Sequence, residues 1–235
     1  MAYALTIIRR AISSSIQFFS KKSSMRVLVL GLQRSGTNYL SRLIEVNSNT
    51  DIQPIGPREI CWKHSMPWEV QPNGYSAIDS ISQCPHELGV MLVSKHPCQW
   101  LDSLVTREPQ DFFKSKKGAL VSGKISLKAC ASIYNSYYSS WLSFIGHGVN
   151  LHVKYVDILA NINSTMRIIC DTLNLSCKEP ITIPSKVPYT KKFTEVDRIR
   201  YLNGECILSD EMLDEFRSYL DTTVVGRLGY SLVDV

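Results

Sequence analysis

The eight residues from Gly31 to Asn38, GLQRSGTN, carry the groups needed to hold an anion. Gly31 and Gly36 permit a tight path on which backbone N–H groups converge. A helix that starts directly behind such a turn adds the positive end of its dipole and its first-turn N–H groups. Thr37 and Asn38 can add side-chain donors, and Arg34 adds a planar cation that can grip two oxygens at once. The two glycines have the spacing of a Walker A loop. Thr37 and Asn38, however, stand where Mg-ATP chemistry needs a lysine for the β- and γ-phosphates and then a Ser or Thr for the metal. The loop therefore reads as an anion site without metal machinery, and no metal site is expected. The plainer alternative is a strand–turn–helix whose glycines serve geometry alone.

The flanking elements must aim that loop. Residues 26–30, RVLVL, form a short apolar run of the kind that is buried on both faces of a parallel sheet, and a helical pattern with Leu40, Leu43 and Ile44 follows the loop. Residues 89–95, GVMLVSK, read as a second buried strand, and Pro97 suits the first turn of a helix that runs to about Arg107. Between these units Pro54, Pro57, Pro67, Pro72 and Pro85 mark an irregular region in which Glu59 to Lys63 is a candidate short strand. Lys114 to Lys117 reads as an exposed loop. A long helix is expected over about 126–145, with Ile133, Tyr137, Trp141 and Phe144 along a core-facing stripe. Asn150 to Val156 alternates like a strand. Helices are expected near 164–174 and 210–220, with Ser164 and Ser209 as N-caps. Strands separated by helices argue for an α/β fold with a parallel central sheet flanked by helices.

Bulk properties narrow the function. A chain of 235 residues suits one domain, and a net charge of +5 permits an anionic ligand without pointing to nucleic acid. No apolar run is long enough to span a bilayer, so no transmembrane segment is expected. The seven cysteines, Cys61, Cys84, Cys98, Cys130, Cys170, Cys177 and Cys206, include no C-x-x-C pair. They read as reduced thiols of a cytoplasmic protein rather than as zinc ligands or a disulfide framework. Residues 1–24 lack acids and carry Arg9, Arg10, Lys21 and Lys22, with Leu5, Ile8, Ile12, Ile16 and Phe19 at roughly helical spacing. They read as a basic leader, flexible or targeting to an organelle or a membrane surface, ahead of a folded domain over 25–235.

RVLVLGLQRSGTNYL resembles the 5′-phosphosulfate loop of sulfotransferases, in which a basic residue precedes Ser-Gly-Thr. Within 89–104, GVMLVSKHPCQWLDSL, Lys95 ends a strand and Ser103 follows eight positions on, similar to the pair that holds the 3′-phosphate in that family. Looser similarities are LHVKYVDIL at 151–159 and Leu-Gly-Tyr at 228–230. The resemblance spans about Met25 to Tyr230. It implies a P-loop nucleoside triphosphate hydrolase-like fold and 3′-phosphoadenosine 5′-phosphosulfate as donor, with no metal. Gly31, Gln33, Arg34, Ser35, Gly36, Thr37, Asn38, Lys95 and Ser103 are the implied nucleotide-binding positions. The chain departs from the family in having Lys95 where arginine is usual. It also has no clear counterpart of the C-terminal Arg-Lys-Gly segment, where Lys191 and Lys192 are the basic candidates.

Sulfuryl transfer to a hydroxyl needs a base for the acceptor proton, donors around the transferring group and cations for the leaving phosphate. The loop and Arg34 supply the last two. WKHSMP at 62–67 resembles the Lys-x-His-Leu-Pro stretch that carries the base in some sulfotransferases, although Lys63 and His64 are adjacent here. The resemblance implies His64 as base and Lys63 as a partner of the bridging oxygen. Glu59 is the rival base; His64 also admits a purely structural reading. His86, His96, His147 and His152 read as structural or exposed. The acceptor is expected to be a small molecule or glycan. Three other classes compete. A nucleotide phosphotransferase lacks its lysine. A non-catalytic phosphonucleotide-binding protein needs neither His64 nor Arg34. Nucleic-acid binding through the basic N-terminus has only sparse aromatics among its Lys and Arg residues.

Overall fold

The computed structural model describes residues 25–52, 60–84, 88–106, 126–184 and 194–232. Strand β1 (Arg26–Leu30) sends Leu28 and Leu30 into one apolar layer and Val27 and Val29 into another, as a strand covered on both faces must. Strand β3 (Leu88–Ser94) is buried along its whole length for the same reason. With β2 (Asp51–Ile52) and β4 (Leu151–Lys154) they form a four-stranded, all-parallel sheet in the order β2-β1-β3-β4. The fold is α/β, with helices on both faces.

Helix α1 (Thr37–Asn47) packs with α5 (Tyr155–Ala160), α6 (Ile162–Thr172) and α7 (Glu195–Leu202) on the layer of Val27, Met91 and Val153. The opposite layer takes α2 (Ala77–Ser82), α3 (Pro97–Thr106), α4 (Leu127–Leu142), α8 (Asp210–Ser218) and α9 (Thr222–Arg227). Pro97 opens α3 and Ser209 caps α8 by accepting from the Met212 N–H, both as the sequence predicts.

Several expectations are corrected. Residues 60–63 of the expected 59–63 strand are bend and turn, because the Lys63 carbonyl is drawn to the Gly31 N–H (3.0 Å) and Ser65 N–H closes back on Trp62 (2.8 Å). The strand beside β1 is β2, whose two residues are too short for any periodic signal. Strand β4 ends at Lys154, and Tyr155 opens a helix. Helix α6 starts earlier than predicted: Asn161 is its N-cap, and Ser164 supplies the N–H that Asn161 accepts. On α4 the buried face holds Cys130, Tyr134, Tyr137, Tyr138 and Trp141, while Ile133 falls at its edge, 48% exposed. Glu59, His86, Lys114–Lys117, Lys191, Lys192 and the 1–24 leader lie outside the described residues.

His152 in β4 carries a testable pH dependence. Its Nε2 meets Ser94 Oγ at 2.8 Å, and burial, aided by the Lys154 charge, pushes its pKa down to about 4. In the unfolded chain an imidazole titrates near ~6.5. The fold therefore favours the neutral ring. Its contribution is fully present above pH ~6.5 and falls as pH drops toward about 4, where the folded protein also takes up the proton. By this linkage the wild type loses about 2 kcal/mol between pH 7.5 and 5. His152→Gln should lose less by about that amount, measured by urea denaturation at both pH values; identical pH profiles would exclude it.

Candidate functional site

The strand order reverses between β1 and β3, which are parallel neighbours with Leu30 opposite Leu92. Open parallel sheets form their ligand crevice at such a point, outside the carboxyl ends of the two strands. The 31–38 loop leaves β1 there, and Lys95 leaves β3 beside it.

Arg34 (φ 74°) and Gly36 (φ 104°) take left-handed conformations that turn the chain into α1. Ser35 closes the turn with its N–H (3.0 Å) and Oγ (2.7 Å), both donating to the Leu32 carbonyl. Both glycines are required by close approach. A Cβ at Gly31 would stand 2.5 Å from Ser35 Oγ and 2.7 Å from the Val93 carbonyl, and one at Gly36 would stand 2.3 Å from the Tyr155 ring. Gly36 caps α1 without a side chain, and the first turn of the helix carries no acid. The loop thus keeps the electropositive helix start that anion binding needs. Trp100 on α3 pins the loop through Nε1–H to the Gln33 carbonyl (2.8 Å).

The WKHSMP segment comes directly against this loop. Lys63 Nζ donates to Asn38 Oδ1, and the Lys63 carbonyl accepts from Gly31 N–H. His64 Nδ1 meets the Gly31 carbonyl at 2.5 Å. A carbonyl only accepts, so Nδ1 carries the proton, and Nε2 is the basic nitrogen of the neutral ring. The Trp62 ring, 40% exposed, meets the imidazole in a T-shaped arrangement with ring centres 5.1 Å apart. His64, Lys63, Arg34 and the Gly31–Asn38 loop are therefore one constellation.

Lys95 and Ser103 form a second. Lys95, 5% exposed, donates from Nζ to Ser103 Oγ (3.2 Å), which in turn meets Tyr201 Oη at 2.6 Å. The ammonium lies 4.4 Å from the Tyr201 ring centre and 4.6 Å from that of Tyr155. A buried cation needs such partners, because their ring quadrupoles and hydroxyls replace part of the lost hydration. Tyr155 joins the two constellations, since the same ring packs on Gly36. Asp102 steadies the far wall: it accepts from Arg200 Nη2 (3.1 Å) and from Ile207 N–H (2.7 Å), and the Arg200 guanidinium lies 5.3 Å over Tyr201.

Sequence reading missed Tyr155 and Tyr201. Tyr155 looked like the end of a strand, and Tyr201 sits in a stretch with no assigned element. The histidines sort clearly. His96 Nε2–H donates to the Ser231 carbonyl (2.9 Å) and its Nδ1 accepts from Cys98 N–H (3.2 Å), which makes it structural. His147 is exposed. Among the described residues, no group of His, Cys, Asp and Glu could hold a metal ion, and no helix is long and apolar enough to cross a membrane.

Fold and site together define an α/β protein with an all-parallel sheet, whose switch point carries a basic glycine loop and, beside it, a lysine hydrogen-bonded to a helix serine. In comparison with known proteins, no family model matches the chain and no curated protein does.

Proposed function

We propose that the chain is a sulfotransferase that moves a sulfuryl group from 3′-phosphoadenosine 5′-phosphosulfate to a hydroxyl or amine of a small-molecule or glycan acceptor. The observation that carries this reading is the adjacency of β1 and β3, which sets the Gly31–Asn38 loop and Lys95 at the carboxyl ends of neighbouring strands, with Lys95 hydrogen-bonded to Ser103 and His64 to the loop. On this reading the fold belongs with the P-loop nucleoside triphosphate hydrolase-like architectures, as the glycine loop joining β1 to α1 supports.

The residues divide the work. Gln33, Gly36, Thr37 and Asn38 receive the 5′-phosphosulfate on main-chain and side-chain donors, Gly31 and Ser35 hold the loop in shape around it, and Lys95 and Ser103 receive the 3′-phosphate. His64 Nε2 takes the proton of the acceptor O–H as the acceptor oxygen bonds to sulfur. The bond between sulfur and the bridging oxygen breaks, and its electron pair stays on the leaving 5′-phosphate. Arg34 and Lys63 offset the charge that develops there. The products are the sulfated acceptor and 3′-phosphoadenosine 5′-phosphate, and no metal takes part.

Calorimetry with nucleotides is the test. 3′-Phosphoadenosine 5′-phosphate should bind about 30-fold or more tighter than adenosine 5′-diphosphate, the scale of one or two charge-assisted hydrogen bonds. A chelator should change nothing. Tight binding of Mg-ATP with no preference for a 3′-phosphate would instead favour a phosphotransferase. Preference for the 3′-phosphate without donor turnover across an acceptor panel would favour a non-catalytic binding protein.

A further inference from the structure

The buried face of α4 ends in polar atoms that donate hydrogen bonds to the main chain of the site segments. Tyr134 Oη–H donates to the Lys95 carbonyl (2.8 Å), and Tyr137 Oη–H to the Lys63 carbonyl (3.1 Å). Tyr138 Oη–H donates to the Val93 carbonyl (3.1 Å), at the end of β3. Trp141 Nε1–H donates to the Ser65 carbonyl (2.9 Å). The Lys63 carbonyl that Tyr137 engages is the one that accepts the Gly31 N–H, so a single oxygen links α4, the His64 segment and the glycine loop. Phenylalanine would fill the same core volume without the need to satisfy a buried hydroxyl, so apolar packing does not account for these three tyrosines. Burial above all raises the Tyr134 and Tyr137 phenols well above their usual range, which keeps both as donors at any working pH.

We propose that α4 is a positioning element of the site: Tyr137 holds the Lys63–His64 segment against the glycine loop, and Tyr134 holds the main chain of Lys95 at the 3′-phosphate end. The inference rests on the sulfotransferase reading for its kinetic consequences. The hydrogen bonds themselves do not depend on that reading. Neither tyrosine is required to touch a ligand. Each acts through the segment it holds, and displacement of a reacting group by a fraction of an ångström is enough to slow a positioned reaction.

The test uses Tyr134→Phe and Tyr137→Phe in the full chain, which remove one oxygen each and leave the ring. Tyr134→Phe should weaken 3′-phosphoadenosine 5′-phosphate about tenfold and leave the rate at saturating donor unchanged. Tyr137→Phe should leave that affinity within about twofold and lower the saturated rate of donor cleavage, with phenol, hexose or water as acceptor, by about tenfold or more. Amide hydrogen exchange at Gly31 and Ser65 gives a readout that needs no nucleotide. It should quicken about tenfold in Tyr137→Phe, while the β3 amides stay as in the wild type. A wild type that fails to bind the nucleotide removes the sulfotransferase reading but leaves the exchange result to decide the clamp. Unchanged Gly31 exchange in Tyr137→Phe overturns the clamp. So does a wild type that binds and turns over while both variants match it, or while both lose affinity and rate in equal measure.

Discussion

His64→Ala is expected to lower the rate of sulfuryl transfer by about 10²–10⁴, the usual span for a lost general base, with affinity for 3′-phosphoadenosine 5′-phosphate nearly intact. The expectation rests on geometry. His64 Nδ1–H is committed to the Gly31 carbonyl, so the basic lone pair lies on Nε2, on a ring tied to the loop proposed to hold the phosphosulfate. Alanine removes both the base and the Gly31 contact, and His64→Asn separates them. The asparagine amide can stand where Nδ1 stands and still donate to Gly31, but it accepts no proton. Single-turnover donor consumption should therefore fall as far in His64→Asn as in His64→Ala. Recovery of the rate in the asparagine variant would make His64 a positioning residue and move the base elsewhere, with Glu59 next in line.

Lys95→Met should weaken binding of 3′-phosphoadenosine 5′-phosphate by about 30-fold and leave adenosine 5′-diphosphate affinity unchanged, so that the preference for a 3′-phosphate disappears. Methionine keeps the apolar stem beside Tyr155 and Tyr201 and removes the ammonium that Ser103 and the two rings surround. Removing a buried cation relieves its desolvation while giving up its ring contacts. Stability by urea denaturation should therefore stay within about 1 kcal/mol of wild type. A large loss of stability with the nucleotide preference retained would make Lys95 a structural cation and assign the 3′-phosphate to another group. Ser103→Ala should move affinity in the same direction by a smaller factor, since it removes a neutral hydroxyl rather than a charge.

The glycine loop was legible because its parts are contiguous. A strand whose residues are apolar on both faces, two glycines at fixed spacing and a helix with a 3.6-residue apolar pattern are local properties. The close approaches found at Gly31 and Gly36 are what such glycines serve. The Lys95–Ser103 pair was marked by its resemblance to the sulfotransferase family's 3′-phosphate pair, and the local chain path makes the contact short. A strand end followed by a helix that opens at Pro97 makes eight residues a short distance in space. The stripe on α4 was read correctly as buried at Tyr137 and Trp141. Its polar ends had no sequence signal, because their partners are main-chain carbonyls of distant segments.

Sequence by itself determined β1, β3, α1, α3, α4 and the α/β class, which follow from apolar periodicity over short windows, and it offered the anion-site reading of the 31–38 loop as an expectation. Only the tertiary structure decided which segments meet. His64 reaches Gly31 across 33 residues, Tyr137 reaches Lys63 across 74 and Tyr201 reaches Ser103 across 98. Those meetings depend on the strand order β2-β1-β3-β4 and on which face each crossover helix covers. Many strand orders are compatible with the same local patterns, and the choice among them is made by burial of both sheet faces at once. That is why the cage around Lys95 and the carbonyl contacts of α4 emerge only when the sheet is assembled.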